Sequence, residues 1–126
     1  MTVVVAAIIQ DELGNFLCAK RGDWKSLAHK WEFPGGKAKP NEALDEAIVR
    51  EIAEELSAKI TVVREFHRNH FEDIELVSFV CDLTGPKPTK STDHSELRWV
   101  SESELADLDW AEADKEIVKK ITIPFC

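Results

Sequence analysis

Residues 32–56 read EFPGGKAKPNEALDEAIVREIAEEL, a Gly-Gly turn followed by a helix-forming run, with seven carboxylates in all, among them Glu51, Glu54 and Glu55. Ala, Leu, Glu and Ile favour a helix from Glu42 to Leu56, and Asn41 supplies a candidate N-cap. At about 100° per residue, Glu51, Glu54 and Glu55 fall on one stripe. The apolar arc of Leu44, Ile48 and Ile52 begins beside that stripe, so the carboxylates flank the buried side. Like charges in such a position repel and lose hydration unless something compensates them. Arg50 supplies part of the compensation. A divalent cation would supply the rest, because Mg²⁺ takes carboxylate oxygens together with waters and substrate phosphates. Read alone, the triplet is more often a solvated helix face; its surroundings decide the matter.

Outward from this stretch, Thr2 to Gln10 is rich in Val, Ile and Ala and predicts a buried strand. Asp11 to Asn15 reads as a turn into a second strand, Phe16 to Lys20, so that the two form a hairpin. Trp31-Glu32-Phe33 is a short alternating strand, and Pro34-Gly35-Gly36 is expected to stop regular structure. Lys59 to Phe66 and Ile74 to Leu83 read as paired strands separated by a polar segment with His67 and His70, to which no chemistry is assigned. Gly85 to His94 reads as a loop and Leu97 to Val100 as a strand. Ser101-Glu102-Ser103-Glu104 matches a capping box opening a short helix to about Leu108, and a last helix covers about Ala111 to Ile121. Strands, helix, strands, helices in that order predict an α/β (α+β) domain with a mixed sheet between helices, and not a doubly wound fold.

The 126 residues suit one domain, 1–126, with 44% hydrophobic and 32% charged residues. Val3 to Ile9 is too short to span a bilayer and has no leader-like flanks, so a cytoplasmic location without membrane association is expected. Cys18, Cys81 and Cys126 lack zinc-site spacing and read as reduced. The net charge of −8 argues against a nucleic-acid polymer as partner, while small anions bridged by a cation remain suited. The Gly-Gly turn also lacks the Lys-Ser/Thr signature of a P-loop.

Gly36, five residues, Glu42, seven residues, then Arg50-Glu51-Ile52-Ala53-Glu54-Glu55 resembles the Nudix box, Gly-x5-Glu-x7-Arg-Glu-U-x-Glu-Glu-x-Gly-U, where U is bulky aliphatic. Six fixed polar or glycine positions match at their required spacing. Ser57 and Ala58 depart from the closing Gly-U. Ala19-Lys20-Arg21, Trp31 to Lys37, Arg98-Trp99-Val100 and Leu108 to Asp114 are similar to the MutT-like branch, so the resemblance covers most of the chain.

The resemblance implies a Nudix α/β/α sandwich and hydrolysis of a nucleoside triphosphate to monophosphate and pyrophosphate, with Mg²⁺ as cofactor and Mn²⁺ as a substitute. By the same resemblance Glu51 and Glu55 are the principal metal ligands, with Glu54 nearby and the Gly35 carbonyl completing the set. Arg50 orients the glutamates, although a surface ion pair with Glu46 or Glu54 is an equal reading of the sequence. Glu42 has the modest expected role of favouring the helix dipole. Asp93 stands where the branch carries a glutamate for a further metal or the water, with His94 and Glu96 as neighbouring alternatives. Glu51, Glu54 and Asp93 are the candidate general bases.

Arg21 and Lys37 occupy phosphate-binding positions of the branch, Phe33 a pocket wall, and Asp114 a base-reading position. An ionised Asp114 only accepts hydrogen bonds, whereas a protonated one also donates, which leaves the base open between an oxidised purine of the 8-oxo-dGTP type and CTP or a modified pyrimidine. The branch suggests nucleotide-pool cleaning, by a monomer or a homodimer. A binding module that has lost turnover is the alternative of another class; its usual sign would be loss of Arg50 or of one of the box glutamates, all of which are present.

Overall fold

The computed structural model describes residues 2–122. Its elements are β1 (Thr2–Ile9), β2 (Phe16–Arg21), β3 (Trp31–Glu32), β4 (Gly35–Lys37), α1 (Leu44–Leu56), β5 (Ile60–Phe71), β6 (Ile74–Leu83), β7 (His94–Val100), a 3-10 helix (Glu102–Asp107) and α2 (Glu112–Thr122). A four-stranded mixed sheet has the order β4-β1-β6-β5, with β1 parallel to β6 and the other pairs antiparallel. A three-stranded antiparallel sheet has the order β3-β2-β7.

Strand β1 is the spine of the domain because it is apolar on both faces. Val5, Ala7 and Ile9 pack with Ala47, Ile48, Ile52 and Leu56 of α1. Ala6 and Ile8 point the other way, into a second core with Trp110, Ile117 and Val118 at α2. The strand period of two therefore sorts consecutive residues into two cores and gives the α/β/α layering. Truncating Ile48 or Ile52, both fully buried, to Ala would cost about 2–5 kcal/mol.

The expected β1–β2 hairpin is not formed. A strand buried on both faces needs partners along both edges; β4 and β6 take those of β1, so β2 leaves for the other sheet, and one bridge, Gln10 to Phe16, marks the parting. Between them Asp11 Oδ1 accepts from the Leu13 and Asn15 amides at 3.0 and 2.9 Å, making the turn. Nor does the Gly-Gly turn end regular structure: Gly35 to Lys37 pairs with Val4 to Ala6. Absence of side chains permits the approach, since a Cβ on Gly35 would lie 1.9 Å from the Val5 carbonyl oxygen.

Helix α1 starts at Leu44, two residues after the expected Glu42, and Asn41 is no N-cap; it sits at φ 65° while Ala43 takes the cap position without a side-chain bond. At the other end Ser57, at φ 53°, makes the left-handed exit that the family glycine would make, donating its N–H to Ala53. Strand β5 runs through His67 and His70 to Phe71, so those residues are strand and not loop, and Glu72 at φ 55° turns the chain into β6. Strand β7 begins at His94, earlier than expected. Ser101 does not cap the backbone; its hydroxyl donates to the Glu104 carboxylate at 2.8 Å, and the segment is a 3-10 helix. The thiols of Cys18 and Cys81 are buried and pushed up to about 12 by burial, hence inert, and Cys126 lies outside the described residues.

Candidate active site

A cavity of about 760 Å³ opens where β4, the middle of α1, the 22–30 loop, the β5–β6 hairpin tip and the start of α2 meet. Arg21, Phe33, Gly35, Lys37, Glu51, Glu55, Asp93 and Asp114 all line it, so eight of the nine residues singled out from the sequence as reaching substrate or metal converge. The ninth, Glu54, lies on the solvent side: its carboxylate is 55% exposed and is held by Arg50 Nη1 at 3.0 Å.

Arg50 is a hub and not a single surface pair. Its Nε donates to Glu42 at 2.8 Å, Nη2 to Glu42 at 3.0 Å and to the Lys37 carbonyl at 3.2 Å, and Nη1 to Glu51 and Glu54, each at 3.0 Å. The guanidinium thus binds β4 to α1 and fixes the rotamer of Glu51. Glu42 does more than face a helix dipole: the Arg50 hydrogen bonds, aided by the Lys39 amide, hold its pKa down to about 2. Glu51, 13% exposed, lies under β4, where a Cβ on Gly36 would come within 2.3 Å of its Oε2. The glycine of the Nudix pattern leaves room here for the Glu51 carboxylate, which a Cβ would displace.

Glu55 is the least compensated group of the cluster. Its pKa rises to about 9, first through burial, then through a hydrogen bond with the Asp93 carboxyl and the charges of Asp93, Glu51 and Glu32. Its Oε2 is buried and finds no donor. A buried oxygen without a donor, among acids, suits a cation. Among the described residues no three His, Cys, Asp or Glu side chains already stand at ligand spacing.

Asp93 reaches this cluster from the loop before β7. Thr92 N–H donates to the Glu55 carbonyl at 3.1 Å, and Lys25 Nζ lies 3.7 Å from Asp93 Oδ1. The neighbouring alternatives do not join in. His94 is buried with both ring nitrogens in use, at 2.7 Å from Ser91 Oγ and 2.7 Å from Glu32 Oε2, and Glu96 is held by Arg98 at 2.8 Å. Arg21 presents a guanidinium already bonded to Glu32 at 3.0 Å and to the Ser26 carbonyl at 2.6 Å, so it folds the 22–30 loop as well as facing the cavity.

The apolar part of the cavity rests on β3. Trp31 exchanges backbone hydrogen bonds with Asp109 and Ala111 at 2.8 and 2.9 Å, which lays the entry of α2 alongside β3. Phe33 then stacks on Trp110, centroids 4.8 Å apart and 25° from parallel. Asp114 Oδ2 accepts the Phe33 N–H at 3.0 Å, yet burial first, and the charge of Glu32 second, raise its pKa to about 8. At neutral pH it is a neutral carboxyl, able to donate and accept. Glu32 and Lys25 carried no role in the sequence reading. Glu32 sits inside a quoted motif, and its alternation with Trp31 and Phe33 signals that it faces away from the core; nothing in the sequence marks Lys25.

A family model described as NUDIX domain matches residues 1–121. The chain is 35% identical over 119 residues to a protein named putative 8-oxo-dGTP diphosphatase 2 of Mycobacterium tuberculosis, covering 90% of this chain and 82% of that one. It is 37% identical over 120 residues to a CTP pyrophosphohydrolase of Escherichia coli, covering 90% and 86%. The crystal structure of a MutT protein from Methanosarcina mazei superposes with a TM-score of 0.82 at 26% identity, covering 95% of this chain and 91% of that one. With a Nudix box that runs from β4 through a turn into α1, Arg50 tying those two elements together and Glu51 and Glu55 lining one cavity, the chain belongs to the Nudix hydrolase family.

Proposed function

We propose that this Nudix hydrolase cleaves a nucleoside triphosphate to the monophosphate and pyrophosphate with Mg²⁺ as its ion, Mn²⁺ being able to replace it. The observation that carries this reading is the buried Glu55 Oε2, which finds no donor, on a carboxyl beside Glu51 and Asp93 in the same cavity as Phe33, Trp110 and Asp114. Glu51 and Glu55 hold the ion, the Gly35 carbonyl completes the set, and Glu54 is tethered to the same arginine as Glu51. Mg²⁺ bound there would polarise a phosphoryl oxygen and neutralise the leaving pyrophosphate. Of the candidate bases, Glu51 and Asp93 face the cavity and Glu54 does not, so the proton of the attacking water goes to one of the first two. Arg21, Lys25 and Lys37 set positive charge against the phosphate chain.

A neutral Asp114 complements an edge that offers an acceptor beside a donor. An 8-oxopurine offers O6 beside N7–H, and this is our preferred base, in keeping with the name of the mycobacterial relative and with a role in clearing oxidised nucleotides. Cytosine offers N3 beside its amino group, which makes CTP the second reading, in keeping with the name of the relative from Escherichia coli. A screen of natural and oxidised triphosphates for pyrophosphate release, with and without Mg²⁺, tests both. Release that requires Mg²⁺ and disappears in Glu51→Gln supports the proposal. No release from any triphosphate by the folded protein, or equal release by Glu51→Gln, overturns it.

A further inference from the structure

His94 is 5% exposed and is the one buried histidine among the described residues. It is enclosed by partners that satisfy each other in one direction. Glu32 accepts from Arg21 Nη1 at 3.0 and 3.2 Å through its two oxygens, and its Oε2 also lies 2.7 Å from His94 Nε2, so that nitrogen carries the proton and donates. In the neutral ring Nδ1 is then the acceptor for the Ser91 hydroxyl, 2.7 Å away. Having donated, Ser91 Oγ is free to accept the Asp93 backbone N–H at 3.3 Å. The chain runs from β3 through an imidazole to the peptide of Asp93 with no group left in conflict.

The backbone of Asp93 is thereby fixed from three sides. Ser91 Oγ takes its N–H, the Gly22 N–H reaches its carbonyl at 3.5 Å, and the preceding Thr92 N–H is bonded to the Glu55 carbonyl. Two of these ties are long or lie at a loop end. The 2.7 Å contacts of His94 are the short members, made by a buried ring, that make the turn stiff.

We propose that Glu32, the buried His94 and Ser91 form a brace that holds Asp93 against Glu55, making His94 a positioning residue for hydrolysis although it touches neither ion nor substrate. This rests on the hydrolase reading for its kinetic consequence, and on the geometry alone for its structural one. The same pattern, an imidazole whose outer nitrogen is oriented by a carboxylate, is how active-site groups are commonly aimed from behind.

Two variants separate the brace from mere packing. His94→Phe keeps a ring of similar size without either hydrogen bond. His94→Gln keeps an acceptor and a donor at about the spacing of the two ring nitrogens. Amide hydrogen exchange at Thr92 and Asp93 should quicken at least about tenfold in His94→Phe and return towards wild type in His94→Gln, with the α1 amides unchanged in both. In the triphosphate assay kcat should fall about 10–100-fold in His94→Phe, with KM within about threefold of wild type, and be partly restored by Gln. Unchanged exchange at Thr92 and Asp93 in His94→Phe overturns the brace, and so does a loss that appears in KM or that Gln does not relieve. If the wild-type protein hydrolyses no triphosphate, the hydrolase reading falls, and the exchange measurement still decides what His94 does.

Discussion

Replacing Glu55 by Gln should make the metal-free protein more stable while abolishing its turnover. In the folded chain Glu55 keeps its proton to about pH 9, against an ordinary 4.5. A raised acid binds its proton more tightly folded than unfolded, so it draws nothing from stability below pH 4.5. It then draws increasingly more as pH rises, until it ionises in the folded state near pH 9. At pH 7 the full effect would be about 3 kcal/mol, at 1.36 kcal/mol per unit. Solvent at the cavity mouth reduces this to about 1–2 kcal/mol. Glutamine resembles the protonated acid and can donate to Asp93, so Glu55→Gln should melt about 3–8 °C above wild type at pH 7 in EDTA. The two curves should converge as pH approaches 4.5. Mg²⁺ closes most of the gap: at ten times its dissociation constant it stabilises wild type by about 1.4 kcal/mol and the variant by much less. Thermal melts by circular dichroism from pH 4.5 to 9, with EDTA and with Mg²⁺, measure all of this. A variant that melts below wild type at pH 8 in EDTA, or that gains as much from Mg²⁺, refutes the assignment of Glu55 as an uncompensated ion ligand.

Gly36→Ala places a methyl 2.3 Å from Glu51 Oε2; the flexible carboxylate yields, so stability should change by less than about 1–2 kcal/mol while kcat falls at least about tenfold, read by parallel melts and pyrophosphate assays. Ser57→Gly relieves a left-handed residue at φ 53° and should raise stability by about 0.5–1 kcal/mol with activity unchanged, measured by urea titration. Asp114, raised to about 8, should lose affinity for its nucleotide as it ionises above that pH, whereas Asp114→Asn should bind with no such fall. Binding titrations between pH 6.5 and 9.5 with a non-hydrolysable triphosphate compare the two.

The parts of this molecule that follow local rules were legible in the sequence. Helix α1 was, because its apolar residues recur at helical spacing; so was the convergence of Arg50 and Glu51 with the Gly-Gly turn, because a fixed spacing encodes it. The partition of β1 and β2 between two sheets was not, because strand pairing is a contest among distant edges and β4 and β6 win those of β1. Residue type alone likewise could not tell Glu54, held outward by Arg50, from Glu55, turned inward beneath Asp93. His94 looked like an alternative ligand beside Asp93; only the burial of its ring against Glu32 and Ser91 reveals that both nitrogens are spent.

Strand β5 closes one margin of the mixed sheet, and its pairing with β6 slips twice, between Val62 and Arg64 and between Glu65 and His67. Each slip twists the outer backbone away from a straight template, and Arg64, Glu65 and Arg68 crowd that margin with charge. The opposite margin is β4, three residues long and lining the cavity. Growth of the mixed sheet from one copy of this chain into the next is therefore disfavoured at both of its borders.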